Sequence, residues 1–174
     1  MESICEASIS TGLGSFTVRC SERGLRELSF GTAAKAPKSR NGDSWRHDPP
    51  TAPNGKRAKA EAWVRKTTEQ LEEYAAGQRK KFTVPLDLDG TPFQKRVWKA
   101  LLAIPYGETR SYGEIARQVG NPKAARAVGM ANHENPVAII VPCHRVIAGD
   151  GTLGGYGGGL QKKSRLLGME KAHA

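Results

Sequence analysis

The sequence predicts an α+β protein in two parts: a small antiparallel sheet with a helix, then a mostly helical unit. Three observations carry this. Short alternating runs split by glycines fill residues 1–30, helical patterns take over after Gly90, and two short helical stretches then flank a tight Gly-Asn-Pro turn at 120–122. The 174 residues suffice for two small cores, and the expected domains are 1–90 and 91–174.

The first part opens with "ASISTGLGSFTVRCSERGLRELSFG" (7–31), a meander turning at Gly12, Gly14 and Gly24. Residues 31–56 are polar and rich in Pro and Gly, a long surface loop in which Trp45 is the one bulky residue. From 57 to 77 an apolar stripe of Ala60, Trp63, Val64, Leu71, Tyr74 and Ala75 predicts a helix, with Gly77 just past its end. "KKFTVPLDLDG" (80–90) reads as a strand and a polar connector.

In the second part Thr91 and Pro92 stand as N-cap and first residue of a helix whose inner face is Phe93, Val97, Trp98, Leu101 and Leu102. After the "PYGETR" turn, Ser111 and Glu114 have capping-box spacing and start a short helix ending at Gly120. Asn121 and Pro122 are expected to start the next, which carries Lys123 and Arg126 among the small residues Ala124, Ala125 and Ala127. This is helix-turn-helix spacing. "ENPVAIIVPCHRVIAG" reads as an apolar extended run over Val137–Val141 that ends at Pro142. A Gly-rich stretch and a last helix from 160 follow.

The formal net charge is +10, and +7 of it falls in residues 91–174. An excess of this size over a helix-turn-helix favours a nucleic-acid partner. No window has the length of an apolar membrane span, and "MESICEASIS" lacks the pattern of a secretory signal, so a cytosolic or nuclear protein is expected. Three cysteines without C-x-x-C spacing exclude a disulfide framework and a redox pair of that type.

Cys143 sits between Pro142, His144 and Arg145, an unusual setting for an inert thiol. A free thiol is only a few per cent ionised at neutral pH, and a neighbouring base and positive charge raise that fraction. Neighbours in an extended chain point to opposite sides, so a water between Cys143 and His144 is more natural than direct contact. A carboxylate must then orient His144, with Glu108, Glu114, Glu134, Asp150 and Glu170 as candidates in this half. His47, His133 and His173 receive no role. Cys5 and Cys20 read as inert core thiols, and with His47 they match no zinc-finger spacing.

The pieces "PYGETRSY" (105–112), "ARAVG" (125–129), "ENP" (134–136), "PCHRV" (142–146), "GGYGGGL" (154–160) and "RLLGMEK" (165–171) occur in order. From Thr91 to Ala172 the chain closely resembles the C-terminal domain of the O6-alkylguanine-DNA alkyltransferases, or methylated-DNA–protein-cysteine methyltransferases, with a looser match in residues 13–28 and 60–77. The resemblance implies an RNase H-like N-terminal domain and a winged helix-turn-helix with its wing near 148–158. It implies repair by direct reversal: one irreversible transfer of an alkyl group from guanine O6, with O4-alkylthymine as a second substrate the family admits.

By the same resemblance Cys143 is the acceptor, His144 draws the thiol proton through a water, Glu170 holds His144, and Asn135 ties the "NP" turn to the active segment. Tyr112 meets guanine N3, and Arg126 fills the gap left by the flipped base. Tyr156 and Gly157 belong to the pocket lid, where some relatives carry Ser in place of Gly157. The carbonyls of Cys143 and Val146 accept from the guanine amino group. Ser111, Lys123, Ala125 and Ala127 join Arg126 on duplex DNA, approached through the minor groove by a monomer without cofactor. Some relatives hold zinc. Cys5 fits its first ligand, but Ser21 and Arg26 stand at the next two positions and Cys20 is one residue off, so no metal is expected. Two other readings are a DNA-binding protein without transfer activity and a cysteine hydrolase with a Cys–His–Glu triad. Cys143 with Tyr112 and Asn135 weighs against the first, and the basic helix-turn-helix against the second.

Overall fold

The computed structural model describes residues 3–32 and 55–174. Most of the polar loop predicted over 31–56, with Trp45 and His47, lies outside the described residues. The chain divides into two compact units, Met1–Ala76 with Thr83–Asp87 and Gly77–Phe82 with Leu88–Ala174. Among the described residues no helix is long and apolar enough to cross a membrane.

The first unit is the predicted meander of β1 (Cys5–Thr11), β2 (Gly14–Cys20) and β3 (Leu25–Phe30), antiparallel in that order, with α1 (Gly55–Ala75) packed on it. Alternation along β2 sends Phe16, Val18 and Cys20 to one face and Thr17 and Arg19 to the other, all buried. Arg19 stands opposite Glu6 on β1 and Glu27 on β3 and pairs with both carboxylates, so its buried charge is compensated across three strands. The strand expected at 80–90 does not form. Only Leu86 makes a bridge, parallel to Leu25, because Pro85 has no N–H to continue a ladder. That bridge consists of Leu25 N donating to Pro85 O at 2.8 Å and Asp87 N donating to Leu25 O at 2.9 Å. Positions 21 and 26 are committed to a carboxylate: Ser21 Oγ donates to Asp87 at 2.6 Å, and Arg26 lies 3.7 Å from it.

The second unit holds α2 (Pro92–Leu102), β4 (Arg110–Ser111), α3 (Tyr112–Gln118), α4 (Ala125–His133), β5 (Val146–Ile147) and α5 (Leu160–Ala172). Thr91 and Ser111 cap α2 and α3 through complete capping boxes with Gln94 and Glu114. Trp98 of α2 is buried and donates its indole N–H to Ala131 O on α4 at 2.9 Å.

Two expectations need correction here. The second helix of the pair starts at Ala125, not Asn121, because residues 121–124 close a turn in which Ala124 N donates to Asn121 O. Lys123 therefore lies in the turn, ahead of the helix. Residues 137–141 are not extended: Ile140 N and Val141 N bond back to Ala138 O and Val137 O, making a turn. At 148–158, where the wing is expected, the chain turns after β5, which pairs in parallel with β4: Ala148 N donates to Thr152 O at 2.9 Å and Gly151 N to Ala148 O at 3.0 Å.

Gly24 has φ +155°, and a Cβ there would lie 2.3 Å from Pro85 O. Gly24→Ala must break the Leu25–Pro85 contact, so a loss on the order of 3 kcal/mol is expected. Urea unfolding of the two proteins, followed in the first unit, checks this.

Candidate active site

The site is built where the 137–141 turn delivers Cys143 to a cavity. Ile139 in that turn has φ 69° and is buried. A β-branched residue in the left-handed region costs on the order of 1–3 kcal/mol and persists only where its surroundings impose it. Here Asn135 holds the segment from behind. Its Oδ1 accepts from Val137 N at 3.0 Å, and its Nδ2 donates to Val141 O at 2.9 Å and to Cys143 Sγ at 3.2 Å.

Cys143, His144 and Arg145 form one turn of 3-10 helix, not the extended chain assumed from the sequence. All three are buried. The turn splits their side chains between two tasks: Cys143 lines the cavity, while His144 and Arg145 reach Glu170 on α5. His144 Nε2 lies 2.7 Å from Glu170 Oε1. The Arg145 guanidinium donates to both carboxylate oxygens, at 2.8 and 2.9 Å, and to Ile104 O at 2.7 Å. Of the five candidate carboxylates, Glu170 is the one brought to His144.

Burial lowers the His144 pKa below its ordinary value, against the opposing pull of Glu170. The ring is therefore neutral near pH 7. With Nε2–H donated to the carboxylate, Nδ1 is left as an acceptor, and among the described residues it has no hydrogen-bond partner. Burial also raises the Cys143 thiol, against weaker lowering by Asn135, Lys163 and the local backbone. The expectation that Arg145 favours the thiolate is thus corrected: its guanidinium is engaged by Glu170. The other thiols are no better poised, since burial raises Cys5 and pushes Cys20 up to about 12.

The cavity in front of Cys143 has a volume of about 420 Å³ and is lined by Tyr112, Gly129, Asn132, His133, Gly155, Tyr156 and Gly157. This is within the usual range of about 300–1,000 Å³ for small-ligand sites. Tyr112 enters as the first residue of α3, fixed by the Ser111 cap. Gly154 has φ +68°, and a Cβ there would come 3.2 Å from the Tyr112 ring, so the lid approaches that ring only as glycine. Burial raises the pKa of both Tyr112 and Tyr156, which keeps the phenols protonated.

Arg126 and Ala127 are exposed on α4, Ala125 is half-buried, and Lys123 is exposed in the turn before it. None of these four lines the cavity. Val146 is buried, and its carbonyl accepts from Lys163 Nζ at 2.6 Å.

Lys163 escaped the sequence reading. It is fully buried, and its ammonium also donates to Leu153 O and to Gly155 O (3.1 Å), gathering the lid under α5. Its signal was present in the spacing: Lys163, Leu166 and Glu170 share the buried face of α5.

Two family models match the chain. That described as "6-O-methylguanine DNA methyltransferase, ribonuclease-like domain" matches residues 4–88, and "6-O-methylguanine DNA methyltransferase, DNA binding domain" matches 92–172. The methylated-DNA–protein-cysteine methyltransferase of Methanosarcina acetivorans is 47% identical over 164 residues, covering 94% of this chain and 96% of that protein. The protein of the same name from Mycobacterium tuberculosis is 66% identical over 106 residues, 61% of this chain. That alignment spans only 64% of the mycobacterial protein's length. The crystal structure of Mycobacterium tuberculosis O6-methylguanine methyltransferase superposes with a TM-score of 0.78 at 46% identity, covering 99% of this chain and 95% of that one. The structure of Mycobacterium tuberculosis OGT in complex with DNA gives 0.77 at 48% identity, covering 96% and 92%. With both halves matched and a near-full-length relative at this identity, the chain belongs to the methylated-DNA–protein-cysteine methyltransferase family.

Proposed function

We propose that the protein repairs DNA by direct reversal, taking an alkyl group from O6 of a guanine onto Cys143 in a single irreversible step. One observation carries this reading: a buried cysteine faces a cavity of base-compatible size with a His144–Glu170 pair directly behind it. In the transfer the carbon–O6 bond breaks and a carbon–sulfur bond forms. The thiol proton passes through a water to His144 Nδ1, and the departing guanine gains a proton with help from the Tyr112 hydroxyl. Because burial favours the neutral thiol, the thiolate forms only when this base accepts the proton.

The substrate is duplex DNA. A base must leave the stack for its O6 to reach a buried thiol, and unstacking costs a few kcal/mol. Arg126, exposed on α4, fills the vacated place. The small side chains of Ala125 and Ala127 allow α4 into the minor groove, and Ser111 and Lys123 meet the backbone. The crystallised DNA complex of the Mycobacterium tuberculosis relative supports this partner. Gly157 offers its N–H to O6, the carbonyls of Cys143 and Val146 accept from the guanine amino group, and Tyr156 closes over the base. The protein acts as a monomer and needs no cofactor. Its three free cysteines suit a reducing compartment, the cytoplasm or, in a eukaryote, the nucleus.

Incubation with a duplex holding one O6-methylguanine is expected to add about one methylene of mass per chain on the Cys143 peptide, with Cys143→Ala binding DNA but gaining nothing. Stoichiometric transfer by that variant, or many turnovers by the wild type, overturns the reading. Arg126→Ala should slow repair of duplex DNA by at least about tenfold while leaving the reaction with free O6-benzylguanine unchanged. Equal losses on both substrates would remove Arg126 from flipping.

A pH profile tests the base. A histidine with a depressed pKa stays neutral as pH falls through its ordinary value near 6.5, so transfer should hold its rate there and fall only at lower pH. A midpoint at or above 6.5 in the benzyl-transfer rate would mean His144 is not the neutral acceptor.

A further inference from the structure

The wall that α4 gives to the cavity contains a polar group that the mechanism above does not use. Gly129, Asn132 and His133 recur at helical spacing, so one face of α4 lines the cavity. Gly129 has no side chain and His133 is exposed. The buried polar contribution of this face is the Asn132 carboxamide. Both its Oδ1 and its Nδ2 are sealed from solvent, and neither has a hydrogen-bond partner among the described residues.

That state is costly. A buried polar atom without a partner costs on the order of 1–3 kcal/mol, and here one side chain carries two. Asparagine is also a poorer helix former than Ala or Leu by about half a kcal/mol, so α4 gains nothing from it locally. A local cost without an intramolecular return is expected where a residue serves a ligand. The same side chain borders the cavity that holds Cys143.

We propose that the Asn132 carboxamide is a specificity group for the base in the cavity. It turns about its side-chain torsions and hydrogen-bonds the polar edge of the O6-alkylguanine as the base enters. The carboxamide Nδ2 presents two donors, and the ring nitrogens of the purine edge present the complementary acceptors. The amide thus gains its partners only in the bound state, which rewards a base over any other alkylating agent. This rests on the alkyl-transfer reading above.

The test uses the full-length protein and three readouts on Asn132→Leu and Asn132→Ala. These are the rate of benzyl transfer from free O6-benzylguanine to Cys143, the rate of Cys143 alkylation by iodoacetamide, and the Tm. Both variants should lose at least about tenfold in benzyl transfer, the equivalent of one buried hydrogen bond to the base, with iodoacetamide alkylation within about twofold of wild type. Asn132→Leu should have an unchanged or higher Tm, because it removes an unpartnered buried amide. Wild-type benzyl transfer in either variant overturns the proposal, as does a loss confined to Leu, which would report steric blocking. A lower Tm for Asn132→Leu with both chemistries slowed would make the amide a structural support and also overturn it. If the wild-type chain itself takes no benzyl group, the alkyl-transfer reading fails first. If it does and both variants match it, only the role of Asn132 falls.

Discussion

A carboxylate without access to water, shared by a histidine and an arginine, organises the second unit. Burying Glu170 alone would cost several kcal/mol. The cost is offset by a two-pronged bond from Arg145, by His144, and by Gly107 N at 3.3 Å. These contacts join the end of α5, the 3-10 turn and the 105–107 turn at one point. They also set the chemistry of the site. Burial, with Arg145 beside the carboxylate, keeps a second proton off the imidazole that Glu170 holds. His144 is thus neutral, next in the chain to a thiol that burial keeps protonated.

Lys163 repeats this logic with the opposite sign. Its ammonium sits seven residues before Glu170 on the same buried face of α5 and is satisfied by backbone carbonyls of the lid. One helix thus fixes the imidazole with an anion and the lid with a cation. Asn135 supplies the third restraint by holding Val141 and Cys143 against the strained turn at Ile139. The thiol that results is buried and protonated at rest. In the proposed transfer this restrains it from reacting before a base fills the cavity, consistent with a protein that acts once.

Elements with local causes were legible in the sequence. The meander followed from alternation and glycine turns, α2 from its Thr91 cap and Pro92, and α3 from its capping box, because those bonds are made within four residues. Elements with distant causes were misread. The 80–90 segment has strand-like residues, yet its one β-bridge among the described residues is Leu86 to Leu25, on a strand some sixty residues earlier. Residues 137–141 look like a strand by composition, but the Asn135 carboxamide and backbone bonds fold them into a turn. Asn121 and Pro122 look like a helix start, and a turn consumes them first.

By itself the sequence determined the two-part α+β organisation, the basic character of the second half, and the set of residues around Cys143. Those depend on composition, spacing and ordered motifs, all carried by the chain in one dimension. The residues alone left five carboxylates open and the family resemblance named Glu170; the tertiary structure placed Glu170 against His144, and it alone decided that Arg145 serves Glu170 and not the thiol, and that Lys163 and the Asn132 carboxamide are buried. Each is a matter of burial and of pairing between segments distant in sequence. In a low-dielectric interior a charge must find its partner wherever the fold brings one, and spacing along the chain does not specify where that is.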